Sequence, residues 1–136
     1  MNNAHVFTYE IQIKEHHLDS FGHVNNAVYL ELYEEARWDF ITKNGFGLDV
    51  IKETQKGPVI LEANVKYKRE IKNREVIQIQ SKAIEVRGKI MSLSQEMINA
   101  EGKVASSAIF QIGFMDLKIR SLISPGEDWL KAIGIY

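Results

Sequence analysis

Cysteine is absent, proline occurs only twice, and no stretch approaches the roughly 18 consecutive apolar residues that a membrane-spanning helix requires. Without cysteine there is no disulfide, no thiolate metal ligand and no cysteine nucleophile, and a reducing compartment, the cytoplasm, is the expected address. Charge of either sign is not in excess: 17 Lys and Arg face 18 Asp and Glu, a net charge of -1. A broad positive field for nucleic acid or anionic membrane is therefore not expected. The opening Met1-Asn2-Asn3-Ala4-His5 has no basic region followed by an apolar run, so neither secretion nor membrane insertion is expected. The G-x-S-x-G element of serine hydrolases and the Gly-rich loops that cradle nucleotide phosphates are missing as well.

What remains is an ordinary globular composition, 45% hydrophobic and 26% charged over 136 residues, which predicts one domain spanning 1–136. Phe7, Tyr9, Ile11 and Ile13 alternate with polar neighbours, the period of a half-buried strand. A loop-like segment from His16 to His23 follows, and Asn25 or Asn26 can cap the helix that comes next. Val28, Leu32, Ala36 and Phe40 recur every four residues with Tyr29, Tyr33 and Ile41 beside them, and Asn44-Gly45 supplies a stop. One long helix with a wide apolar face is predicted.

After a polar connection, Leu61, Ala63, Val65 and Tyr67 alternate with polar residues as a second strand. Three more are predicted at Val76 to Val86, Ile90 to Ile98 and Val104 to Met115, joined by short turns into an antiparallel meander. Pro125 precedes a short terminal helix through Trp129 and Ile133. A strand, a long helix and then four strands point to an α+β fold, with an antiparallel sheet wrapped around one helix among the topologies this order permits.

The chemistry concentrates between Asp19 and Arg37. The run Asp19-Ser20-Phe21-Gly22-His23-Val24-Asn25-Asn26-Ala27-Val28-Tyr29-Leu30, continuing to Glu34-Glu35-Ala36-Arg37, resembles the hot-dog-fold thioesterases of the 4-hydroxybenzoyl-CoA thioesterase-like branch. In that family an Asp-x-x-Gly-(His or Ile)-Val-x-x element precedes the central helix, and an acidic-x-Ala-Arg pattern lies on it. The close match covers residues 9 to 41. It implies a hot-dog fold, a five-stranded antiparallel sheet around one long central helix, and hydrolysis of an acyl-CoA to a carboxylic acid and free coenzyme A. It implies no cofactor beyond the coenzyme A of the substrate, and a site between protomers, hence a homodimer or homotetramer. An acyl carrier protein substrate (acyl-ACP) and a noncatalytic acyl-CoA-binding module are the alternatives on the same fold. A hot-dog dehydratase is disfavoured, because the Pro-rich segment around its histidine is missing.

The resemblance assigns roles that make physical sense. A thioester carbonyl is electrophilic and its thiolate leaves readily, the parent thiol having a pKa of about 8.5, so one carboxylate suffices. Asp19 would attack the carbonyl or act as base on water. Asn26 would contribute its backbone N–H, at the positive end of the helix dipole, to the developing oxyanion. Asn25 would cap, and Gly22 would allow a tight turn or a close approach of substrate. Taken alone, Asp19 and Gly22 are turn formers and Asn25-Asn26 a cap. His23 is read as packing or hydrogen bonding at the loop-to-helix junction in preference to acid/base work. Lys68 and Arg69, and Arg87 and Lys89 around a hairpin turn, are candidates for the coenzyme A phosphates. Glu34 and Glu35 have the spacing for helix-surface ion pairs with Arg37. His16 and His17, expected on opposite strand faces, would leave too few ligands for a metal with Asp19 and His23, so no metal is expected.

Overall fold

The computed structural model describes residues 4–135. Strand β1 (Val6–Gln12) keeps the expected alternation, with Phe7, Tyr9 and Ile11 half-buried and the residues between them exposed. A single 3₁₀ turn, Glu15–His17, leads through a loop to helix α1 (Asn26–Lys43). Asn25 is its N-cap, with extended backbone and a side-chain oxygen that accepts from the Ala27 N–H at 2.9 Å. The helix buries Tyr29, Leu32, Tyr33, Ala36, Phe40 and Ile41, the stripe its spacing predicts except for Val28, which is half-buried. It stops where Gly45 takes φ +89°, a left-handed turn that favours glycine.

A short helix α2 (Leu48–Thr54) precedes strands β2 (Lys56–Tyr67), β3 (Val76–Arg87), β4 (Ile90–Ile98), β5 (Val104–Asp116) and the two-residue β6 (Ser121–Leu122). Helix α3 (Glu127–Ala132) closes the chain, its buried Trp129 packed against Phe46 and Phe114. The sheet order is β1-β3-β4-β5-β2, every pairing is antiparallel, and β6 pairs with the end of β5. This is the hot-dog arrangement: the inner face of the sheet, including Ile77, Ile79, Leu93, Met97, Phe110 and Phe114, closes on α1 around a single core.

Buried polar side chains in that core, Ser81, Gln95 and Ser106, tie the helix to the sheet. Gln95 of β4, fully buried, donates to the Tyr33 carbonyl at 3.1 Å and to Ser81 Oγ at 2.9 Å, and accepts from Arg37 Nη1 at 2.9 Å. The Tyr33 hydroxyl donates to Ser106 Oγ at 2.7 Å. Arg37 also lies over the Phe110 ring, 4.4 Å from its centre. It turns inward because its helical position flanks the buried Tyr33 and Ile41 stripe. The surface ion pairs expected for Glu34 and Glu35 with it are therefore not formed; Glu35 accepts instead from the Tyr9 hydroxyl at 2.6 Å.

Three further details differ from expectation. β2 starts at Lys56 rather than near Leu61, because Gly57 and Pro58 enter the ladder; proline is tolerated there since β2 is an edge strand. A bulge between Ile60 and Glu62 interrupts the register, and Leu61, Ala63 and Tyr67 remain exposed. α2 and β6 carry no apolar period that sequence reading detects; α2 buries no residue at all.

Candidate active site

The chain between the 3₁₀ turn and α1 is folded back on itself by a short bridge between Leu18 and Val24. Asp19 stands at the head of this loop. Its N–H donates to the His23 carbonyl at 2.8 Å and its carbonyl accepts from the Gly22 N–H at 3.1 Å. One carboxylate oxygen, Oδ1, accepts from the Phe21 N–H at 2.9 Å and more distantly from the His23 N–H at 3.4 Å. The other, Oδ2, has no hydrogen-bond donor among the described residues. Gly22 has φ +82°, and a side chain there would meet nothing within 4 Å. Of the two roles expected for it, the tight turn is the one visible.

His17 supports the loop from behind. Its buried ring accepts the Lys14 N–H on Nδ1 at 2.9 Å, and its carbonyl accepts from the Asn25 N–H at 3.0 Å. Burial, with the neighbouring His16, lowers its pKa. The His16 and His17 rings lie 4.0 Å apart rather than on opposite faces, because they occupy a 3₁₀ turn and not a strand. They do not converge with Asp19 and His23, and no cluster of potential metal ligands forms among the described residues.

Asp19 and Asn26, the first residue of α1, share a pocket of about 380 Å³ that His23, Tyr29, Tyr67, Lys68, Arg69 and Glu70 also help to line. Within the first turn of α1, Ala27 N–H is capped by Asn25 Oδ1 and Val28 N–H donates to the Asn25 carbonyl at 2.9 Å. The Asn26 N–H has no acceptor among the described residues. His23 reaches Glu70 at 3.1 Å through Nε2, in a pair more than a third exposed on both sides. An exposed pair of this kind contributes little to stability.

Lys68 and Arg69 stand in the pocket wall, their N–H groups anchored to the Ala105 carbonyl at 2.9 and 3.0 Å. Arg69 Nη1 donates to the Val104 carbonyl at 2.8 Å, while Lys68 has no salt-bridge partner among the described residues. Arg87 and Lys89 lie elsewhere in the chain. Arg87 pairs with Glu85 at 2.8 Å in a groove with Leu61, Glu62 and Ser92, and Lys89 lines a cleft beside Trp129. Within one chain neither joins the Asp19 pocket. Two pocket residues escaped sequence reading in this role. Tyr29, whose burial pushes its phenol up to about 12, reads in sequence as a core position, and Tyr67 as a strand residue. The signal available for Tyr67 was its place at the end of a strand, immediately before Lys68-Arg69.

The profile of the thioesterase-like superfamily matches residues 13–133, nearly the whole described chain. A curated relative, the long-chain acyl-CoA thioesterase FadM of Escherichia coli, is 32% identical over 116 residues, 85% of this chain and 87% of its own. This chain belongs to the thioesterase-like superfamily. The YbaW probable thioesterase of Escherichia coli superposes on this thioesterase with a TM-score of 0.81 at 29% identity, covering 94% of this chain and 96% of that one. The Staphylococcus aureus protein SAV2348, solved in complex with CoA, superposes with a TM-score of 0.88 at 17% identity over 96% of this chain and 82% of its own, a likeness of fold. The thioesterase is thus a hot-dog enzyme that hydrolyses thioesters.

Proposed function

We propose that this thioesterase hydrolyses acyl-CoA to a carboxylic acid and free coenzyme A, with Asp19 as the catalytic carboxylate and the Asn26 N–H as oxyanion donor. The observation that supports the reading is the shared pocket, which Asp19 and Asn26, whose N–H has no acceptor among the described residues, both help to line. In the base route, Asp19 takes a proton from water as the water oxygen adds to the thioester carbonyl. In the nucleophilic route, a carboxylate oxygen adds directly and water later opens the mixed anhydride. Either way negative charge grows on the carbonyl oxygen, where the Asn26 N–H and the helix dipole favour it, and collapse breaks the C–S bond with departure of the thiolate.

Lys68 and Arg69 supply positive charge beside the pocket for the coenzyme A phosphates. Gly22, His23 and Asn25 shape the loop-to-helix junction. Arg87 and Lys89 reach a coenzyme A only if a second copy brings them to the pocket, so their role is tied to the homodimer or homotetramer. The exposed apolar edge of β2 supports such an assembly. No described helix is long and apolar enough to cross a membrane, and a cytoplasmic address fits the cysteine-free sequence. The name of the FadM relative makes long-chain acyl-CoA the first substrate to try.

Thiol release from a panel of acyl-CoAs tests the reading. Asp19→Asn and Asp19→Ala are expected to lower turnover on the order of 10²-fold, with circular dichroism unchanged for Asp19→Asn. Undiminished hydrolysis by both variants would falsify the catalytic assignment. Faster release from acyl-ACP than from any acyl-CoA would move the substrate to that carrier, and binding without turnover by the unaltered protein would make it a noncatalytic module.

A further inference from the structure

We propose that Tyr67 is a positioning residue of the active site, its hydroxyl holding the first turn of α1 so that the Asn26 N–H stays aimed into the pocket. The proposal rests on Asn26 being the oxyanion donor. Each polar group around that N–H has a partner. Asn25 N–H donates to the His17 carbonyl at 3.0 Å, the Asn25 carbonyl accepts from Val28 N–H at 2.9 Å, and Asn25 Oδ1 accepts from Ala27 N–H at 2.9 Å. The Asn26 carbonyl accepts from the Tyr67 hydroxyl at 3.1 Å. The peptide joining Asn26 to Ala27 is therefore gripped at both ends, its N–H by Asn25 and its C=O by Tyr67.

The first three of these bonds lie within the helix and the loop that precedes it. The fourth comes from the sheet. Tyr67 ends β2, where it pairs with Ser106 of β5, and its ring stands edge-on to the buried Tyr29 at 4.9 Å and 88°. The hydroxyl is thus delivered from a strand held by β5, on a ring packed against the first turns of α1. Helix ends fray, and an oxyanion donor is effective in proportion to how little it must move when charge develops. At 51% exposure Tyr67 is not a core-filling side chain, and its hydroxyl adds a hydrogen bond to α1 beside the ring contact with Tyr29.

Tyr67→Phe keeps the ring and removes the tie. In thiol-release assays kcat is expected to fall about five- to tenfold with KM within about twofold, the pattern of an interaction felt in the transition state. A second readout separates positioning from general loosening. Acyl-CoA labelled with ¹³C at the carbonyl, bound to Asp19→Asn, should show a carbonyl stretch lowered from its solution frequency. In the Asp19→Asn/Tyr67→Phe double variant that stretch should move back toward the solution value. An unchanged kcat in Tyr67→Phe overturns the proposal, as does a fall in kcat with the same lowered stretch in both backgrounds. The absence of any lowering in Asp19→Asn alone removes Asn26 as the donor, and the positioning role with it. Undiminished turnover by Asp19→Asn overturns the carboxylate assignment and leaves this one to be decided by the kcat of Tyr67→Phe.

Discussion

Asp19 divides its carboxylate between two tasks. Oδ1 closes the turn by accepting the Phe21 N–H, and Oδ2 makes no hydrogen bond among the described residues. An asparagine retains an acceptor for the turn and loses only the negative charge, whereas alanine loses both. Asp19→Ala is therefore expected to be less stable than Asp19→Asn by about 1 kcal/mol in urea unfolding, although both lose turnover. Equal stabilities would show that the turn bond contributes nothing. Asn25→Ala removes the cap on Ala27 N–H and is expected to cost about 1 kcal/mol, read by the same unfolding curves. His17 makes stability depend on pH. Its folded pKa lies below the ordinary value of about 6.5, so between the two the unfolded chain binds more protons. Stability attributable to His17 is full above about pH 6.5 and declines as pH falls toward the folded value. A His17→Gln variant should lack that decline; an identical pH profile in both proteins would refute it. The turn made by Asp19 and Gly22 and the cap by Asn25 were readable in sequence because those bonds are local, within a few residues of themselves. Tyr67 was not, because its partner Asn26 lies 41 positions away and only the fold brings them together.

Elements follow the same division between local signal and distant contact. α1 was legible because six of its residues bury at helical spacing, and β3, β4 and β5 because buried positions recur every second residue along most of each strand. The start of β2 was hidden because Gly57-Pro58 resembles a turn, and an edge position is what makes that pair tolerable in a ladder. Arg37 departs from expectation because its charge suggests solvent while its helical angle points it at Gln95 and Phe110 of the sheet. Burial lowers its pKa to about 10, which leaves it charged at neutral pH with the neutral Gln95 as its hydrogen-bond acceptor and the Phe110 face beneath it. Gln95 thus satisfies groups from three directions: the α1 backbone, Ser81 of β3 and Arg37. Gln95→Leu matches it in bulk and satisfies none of them. It is expected to destabilise the protein by about 2–4 kcal/mol, the cost of leaving a partly buried guanidinium without its acceptor. Gln95→Leu combined with Arg37→Met should recover part of that loss if the charge is its source. No recovery in the double variant would place the cost in packing around Leu93 and Met97 instead.

At the scale of the whole molecule the unbalanced feature is β2. It is one of the two edges of the sheet, it runs for 12 residues, and Ile60, Leu61 and Tyr67 stand 42%, 45% and 51% exposed along it. Long apolar edges are templates for further strand pairing, and soluble proteins cover or charge them. The other edge, β1, is shorter at 7 residues and alternates half-buried with exposed positions. A second copy meeting β2 across a two-fold axis would satisfy the free backbone groups of both edges at once and cover both sets of apolar side chains. The same step would set the Asp19 pocket, whose wall includes Tyr67, beside the partner. The unaltered chain is accordingly expected to sediment as a dimer or a multiple of it. An Ile60→Lys/Leu61→Lys variant, which alters only exposed side chains of the single chain, should keep its circular dichroism, shift to the monomer mass at micromolar concentration and lose turnover in parallel. Full activity at monomer mass would show that one chain completes the site, and a wild-type monomer would leave β2 without the partner its composition calls for.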